Sequence, residues 1–245
     1  MAPGRSEGQE SRGAEGIYRF LIRAAAVVLL LSACTPFPLV KRYAASHPEC
    51  LFYANATRKV AALTIDDGPD NQTTSRILDL LKKHESRATF FLISSNVRGN
   101  DSLVTRTLRE GHEIANHMSR NEASLSLSPK QYEQSLLEAD TVLRGFGPLR
   151  WTRPGSGRYN ARMISIMRRH GYSCALGSVY PFDPQIPISG YSVRAILHQV
   201  RPGAIIILHD GGYKGRNTIK TLTRVLPELK RKGYKVVTLS ELVSM

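Results

Sequence analysis

Five stretches of this chain carry residues whose types and spacing suit hydrolysis at a metal ion: Asp66-Asp67-Gly68-Pro69, Asn116-His117, Arg153-Pro154, Asp183 and His209-Asp210. Two adjacent carboxylates can divide labour, one coordinating a divalent cation while the other takes a proton from the water that the cation activates. A cation needs further ligands. His117 and Asn121 stand four residues apart, a spacing that on a helical turn sets an imidazole nitrogen beside an amide oxygen. His209, from a distant part of the chain, could protonate a leaving amine. Taken singly, each residue reads equally well as a turn or cap residue, Asp-Gly-Pro above all. What sets them apart is a shared position just after an apolar, β-like run.

Those runs imply the scaffold. Strand-like segments at 60–65, 88–93, 112–116, 149–152, 173–179, 204–208 and 235–239 alternate with helical patterns at 73–84, 102–110, 128–145, 160–170, 192–200 and 218–232. In the third helix Ser128-Pro129-Lys130-Gln131 supplies an N-cap, a first-turn proline and a capping-box glutamine. Pro227 predicts a kink or two short segments in the last helix. Strand and helix in regular alternation predict an α/β fold, a distorted (β/α)7-type barrel, with chemistry on the loops after the carboxyl ends of the strands.

At 245 residues and 42% hydrophobic content the chain fits one globular domain with an N-terminal extension and is too apolar to be disordered. The excess of 34 Lys and Arg over 20 Asp and Glu, a formal +14, favours a polyanionic partner. No helix-turn-helix or zinc-finger pattern is present and the basic residues are dispersed, which argues against nucleic acid and leaves an anionic wall or membrane surface. Residues 1–34 read as an export signal: Arg19 and Arg23, then an apolar stretch of about 11 residues, short of the roughly 20 that span a bilayer, ending at Leu31-Ser32-Ala33-Cys34. That ending resembles a bacterial lipobox, which makes Cys34 a lipidation site and the protein membrane-anchored; the alternative is a signal-anchor with an inert cysteine. Residues 35–58 read as a linker and approach to the barrel, and whether Cys50 pairs with Cys174 is open at this level.

Around the chemistry-bearing residues the chain resembles, over 59–245, the polysaccharide deacetylase family, the NodB-homology domain of carbohydrate esterase family 4. Thr64-Ile65-Asp66-Asp67-Gly68-Pro69 stands where the family has Thr-Phe-Asp-Asp-Gly-Pro, and His117-Met118-Ser119-Arg120-Asn121 where it has His-(Ser/Thr)-x-x-His. The resemblance implies Asp66 as general base, Asp67, His117 and Asn121 as ligands of a divalent metal, and Arg153 as the residue orienting Asp66. It further implies Asp183 as partner of His209, the general acid. Asn121 departs from the usual histidine, so zinc stands beside cobalt, manganese and nickel as the metal. Arg153-Pro154-Gly155-Ser156-Gly157 lacks the usual aromatic at Ser156, and Tyr180 and Pro184 replace an Asp and a Trp. Gly155, Tyr180, Ile207 and Leu208 are the implied substrate-binding residues, with a backbone N–H near Gly155 as an oxyanion donor and the aliphatics of Ile206-Ile207-Leu208-His209 as a pocket for the acetyl methyl. The activity implied is hydrolysis of N-acetyl groups on peptidoglycan or a chitin-like glycan. The rivals are a glycan-binding member that no longer turns over and a hydrolase of O-acetyl esters.

Overall fold

The computed structural model of the protein describes residues 37–245. All the expected strands are present: β2 (Val60–Asp66), β3 (Ala88–Leu92), β4 (Glu113–Asn116), β5 (Trp151–Thr152), β6 (Ser173–Ala175), β7 (Ala204–His209) and β8 (Lys235–Val237), preceded by a short β1 (Cys50–Leu51). They form one sheet in the order β1-β6-β5-β4-β3-β2-β7, with every pairing parallel. β2 lies at its centre and is buried along its whole length, as expected of a strand covered on both faces. One edge of β2 pairs with β7; the other is shared, its first half taken by β8 and its second by β3. The sheet curls until its ends nearly meet, where isolated bridges join Tyr53 to Ala204 and Val179 to Ile206. The result is the distorted barrel expected.

Around it run α1 (Phe37–Ser46), α2 (Thr74–Lys83), α3 (Asp101–Arg109), α4 (Pro129–Leu143), α5 (Ala161–Arg169), α6 (Ser189–Gln199), α7 (Gly212–Arg231) and α8 (Leu239–Val243). Their apolar stripes close the core; on α2 Ile77, Leu78 and Leu81 are wholly buried. Ser128 and Gln131 form the reciprocal capping box that starts α4. Parallel register then aligns the carboxyl ends of the strands: Asp66 lies opposite His209 and Phe91, Leu92 opposite Asn116, Asn116 opposite Thr152, and Thr152 opposite Cys174. Everything that follows those residues emerges on one rim.

Three expectations are corrected. Residues 37–58 are not a linker. α1 and β1 belong to the body: Phe52 is buried in the core, and Cys50, in register with Cys174 on β6, forms a disulfide with it across a Cα–Cα distance of 4.8 Å. Nor does the last long helix begin at 218 or break at Pro227; α7 is one helix of 20 residues that starts at Gly212. Leu222, Val225, Leu226 and Leu229 are buried on both sides of the proline in sequence, and packing holds the helix through the missing hydrogen bond. Residues 119–121 are bends and 117–118 have no regular structure, so His117 and Asn121 do not share a helical turn. The signal and Cys34 lie outside the described residues. Among the described residues no helix is long and apolar enough to cross a membrane.

Candidate active site

β2 ends by turning sharply. Asp66 is its last residue, and Asp67 adopts a left-handed backbone conformation at φ 73°, an arrangement that persists only where the surroundings hold it. Here the Asn96 side-chain amide donates to the Asp67 carbonyl at 2.8 Å and the Ile93 amide to the Gly68 carbonyl at 3.0 Å. The turn separates the two carboxylates. Asp66 is 3% exposed and receives the buried Arg153 guanidinium, Nη1 to Oδ1 at 2.5 Å. Arg153 spends its other donors on Thr64 Oγ1 and on the carbonyls of Ala175 and Leu176, at 2.9 to 3.0 Å, and lies 4.0 Å from the Phe91 ring. Each of the three nitrogens of that cation donates to a fixed acceptor, so it fixes Asp66.

His117 follows β4. Its Nδ1 donates to the Arg153 carbonyl at 2.7 Å, which leaves Nε2 to face Asp67 Oδ1 at 3.4 Å and Asp66 Oδ2 at 3.9 Å. A ring whose one nitrogen is held by a carbonyl presents the other as a ligand. Burial works against a charge on His117, yet the carboxylates of Asp66 and Asp67 and the Arg153 carbonyl outweigh it and raise its pKa above the ordinary histidine value. Burial likewise opposes the Asp67 charge, and His117, His209 and Lys214 overcome it, driving its pKa far below the usual carboxylate range. This corner of the site attracts positive charge, whether a proton on His117 or a divalent cation.

His209, the last residue of β7, is set by Asp183: Nδ1 donates to Oδ1 at 3.0 Å, and the His209 backbone N–H donates to Oδ2 at 3.0 Å. Asp183 is wholly buried. Burial lowers the His209 pKa, but Asp183, with Asp66 and Asp67 further off, more than reverses this, and it lies above the ordinary value. With its Nδ1 occupied by Asp183, the ring has Nε2 left for chemistry.

Asp66, Asp67, His117, Arg153 and His209 line one cavity of about 710 Å³, together with Asn121, Gly155, Tyr180 and Ile207, while Asp183 stands behind His209. Two expected substrate contacts need correction. Side chains alternate along β7: Ile207 and His209 reach the cavity, whereas Leu208 is wholly buried in the main hydrophobic cluster. Ile207 instead packs over Gly177, where an added Cβ would come within 2.7 Å of it. Gly155 lines the cavity, but its N–H donates to Ser124 Oγ at 2.7 Å and is not free to hold an oxyanion. A side chain at Gly155 would collide with the Glu122 carbonyl.

Among the described residues no three Asp, Glu, His or Cys side chains converge as metal ligands. The donors present nonetheless suit a divalent cation: Asp67 and the Nε2 of His117 face one another, and the Asn121 amide lines the same cavity. One group has no place in the sequence reading. Lys214, on the first turn of α7, lines the cavity and donates from Nζ to Asp67 Oδ2, so an ammonium already holds one oxygen of the acidic ligand. Tyr43, Phe52 and Leu125 also border the cavity and went unseen. Periodicity places the start of that helix at 218, after Lys214, and the weak patterning of 35–58 gives Tyr43 and Phe52 no local signal for the cavity.

A family model described as polysaccharide deacetylase matches residues 53–175, half the chain. The chain belongs to that family. It is 36% identical over 189 residues to a peptidoglycan-N-acetylglucosamine deacetylase of Bacillus cereus, covering 76% of this chain and 88% of that protein. It is 31% identical over 202 residues to a chitooligosaccharide deacetylase of Bradyrhizobium, covering 77% and 92%. Among solved structures, the Bc1960 peptidoglycan N-acetylglucosamine deacetylase superposes with a TM-score of 0.75 at 27% identity, covering 86% of this chain and 98% of that one. Asn121, where the family motif has a histidine, leaves the metal corner poorer in imidazole, and Lys214 brings a positive charge to it. Tyr180 keeps an aromatic at the cavity, its ring centroid 5.9 Å from that of His209 and its hydroxyl donating to Gln185 at 3.0 Å.

Proposed function

We propose that this protein is a metal-dependent hydrolase that removes N-acetyl groups from an amino-sugar polymer, peptidoglycan or a chitin-like glycan, at the outer side of a cell membrane. The observation that carries this reading is the placing of a fixed carboxylate and a carboxylate-oriented imidazole on one cavity, on residues paired across β2 and β7. A divalent cation held by Asp67, His117 and Asn121 would supply Lewis acidity toward the acetamide carbonyl and toward water. Asp66, oriented by Arg153, takes the proton of the attacking water. As the C–N bond breaks, His209 delivers its proton from Nε2 to the departing amine, and Asp183 stabilises the imidazolium until then. Ile207 lines the cavity where the acetyl methyl is held. Water and an acetamide give acetate and a protonated amine: the proton Asp66 takes from water matches the one His209 gives to nitrogen, the acid proton of the acetyl product passes to the amine, and return of the Asp66 proton to His209 restores the site.

Zinc is the first choice of metal, with cobalt, manganese and nickel suited to the weaker amide ligand at Asn121. The export reading draws support from the disulfide between Cys50 and Cys174, since such bonds persist mainly in oxidising compartments; the anchor at Cys34 rests on the lipobox alone. Acetate release from N-acetylglucosamine oligomers and from peptidoglycan, measured for wild type and Asp66→Asn with each metal, tests the proposal: Asp66→Asn keeps the metal and loses turnover. The ion pair between Lys214 and Asp67 favours one second reading, a glycan-binding member with weak turnover. Sugar binding without acetate release under every metal tried would establish that instead.

A further inference from the structure

α1 is held to the barrel through aromatic contacts. Phe37 meets Tyr53 edge-on at 5.1 Å with the Arg201 guanidinium 4.5 Å from its ring, and His47 meets Tyr159 at 6.3 Å. Between these contacts stands Tyr43. Its ring stacks on His47 at 4.0 Å and touches Phe52 edge-on at 5.4 Å, so its orientation is set from two sides. Yet Tyr43 is 52% exposed, and it borders the same cavity as Asp66 and His209. No residue of α1 is buried, so core packing does not explain a large oriented ring at that position. Where the family pattern has an aromatic on the substrate groove, this chain has Ser156, whose side chain adds no ring to the cavity wall.

We propose that Tyr43 is the platform of an accessory sugar subsite, on which a pyranose ring next to the residue being deacetylated lays its apolar C–H face. The inference rests on the deacetylase reading and deepens it: the preferred substrate is a chain of several N-acetylated sugars. An oriented, half-exposed aromatic gives contact area at little cost in ordering, which is why ligand sites are lined with such rings. α1 thereby carries one residue of the binding machinery, Tyr43. The disulfide that follows it holds the segment against β6, and with it the position of the subsite.

The test is a ladder of N-acetylglucosamine and its oligomers from one to six residues, assayed for acetate release with wild type, Tyr43→Ala, Tyr43→Trp and Leu39→Ala. Leu39 is exposed on the same helix and away from the cavity, and its variant controls for damage to α1. For Tyr43→Ala the loss in kcat/KM should be absent on the monomer and about tenfold on oligomers that fill the neighbouring position, the hexamer included, arising in KM, as expected for one aromatic contact. Tyr43→Trp should retain wild-type length dependence. A loss equal at every length, or none, overturns the subsite while leaving the deacetylase reading standing. If wild type releases no acetate from any oligomer, the deacetylase reading fails instead. Calorimetric binding of the hexamer then decides the subsite: weaker binding by Tyr43→Ala than by wild type and Leu39→Ala supports it, and equal or absent binding overturns it.

Discussion

Replacing Asp183 by asparagine changes a charge at nearly constant volume, and it does so in contact with one ring nitrogen. In the native protein the carboxylate accepts from His209 Nδ1 at 3.0 Å and from the His209 backbone N–H at 3.0 Å, in a pocket closed to solvent. A hydrogen bond to an ionised group contributes about 1.5–3 kcal/mol and a neutral one about 0.5–1.5 kcal/mol, so the imidazolium loses roughly 1–1.5 kcal/mol relative to neutral imidazole. At 1.36 kcal/mol per pH unit this lowers the His209 pKa by about one unit. Asp66 and Asp67 also favour the protonated ring and remain, so part of the upward shift survives. The alkaline limb of the kcat/KM profile, which reports the acid of the free enzyme, therefore moves about one unit toward lower pH, with little change of rate on its acidic side. Acetate release between pH 5 and 10 measures this. Stability moves with it. A histidine whose pKa is raised by folding contributes stability that is whole below its unfolded value near 6.5 and is lost as pH rises through the folded value, and Asp183→Asn should flatten that decline. An alkaline limb that stays in place would falsify the assignment of His209 as general acid.

Four further outcomes follow from the same structure. Lys214→Met removes the cation that competes for Asp67 and should tighten zinc binding to the metal-free protein by about tenfold; Asn121→His should tighten it as well, and titration calorimetry that shows no gain for the latter removes Asn121 from the ligand set. Leu208→Ala should lower stability by about 2–5 kcal/mol through a core cavity and leave KM near the wild-type value, as checked by denaturant unfolding beside initial rates; a raised KM with intact stability would return Leu208 to the substrate pocket. Cys50→Ser opens a loop of 124 residues and should cost about 2–5 kcal/mol, read as a fall in Tm that reductant reproduces in wild type and does not add to in the variant.

Much of this was determined locally. The apolar runs that became β2, β3 and β7, the capping box at Ser128 and the carboxylates and histidines at strand ends were legible because periodicity and turn chemistry act over a few residues. Parallel pairing then placed Asp66, His117, Arg153 and His209 on one rim without further information. Other features had no local signal. Cys50 meets Cys174 only because β1 and β6 come into register, and Tyr43 reaches the cavity only because α1 docks through scattered aromatic contacts. Leu208 and Ile207 are equivalent in a motif; strand alternation, fixed when β7 pairs with β2, sends one to the core and the other to the cavity. The N–H of Gly155 was taken by a serine distant in sequence, and Lys214 met Asp67 across 147 residues. What the chain alone determined was which elements form and which chemistry they can carry. Which side chain faces the cavity, and which cation Asp67 already holds, were decided by contacts between segments far apart in sequence, because those depend on register and docking rather than on neighbours along the chain.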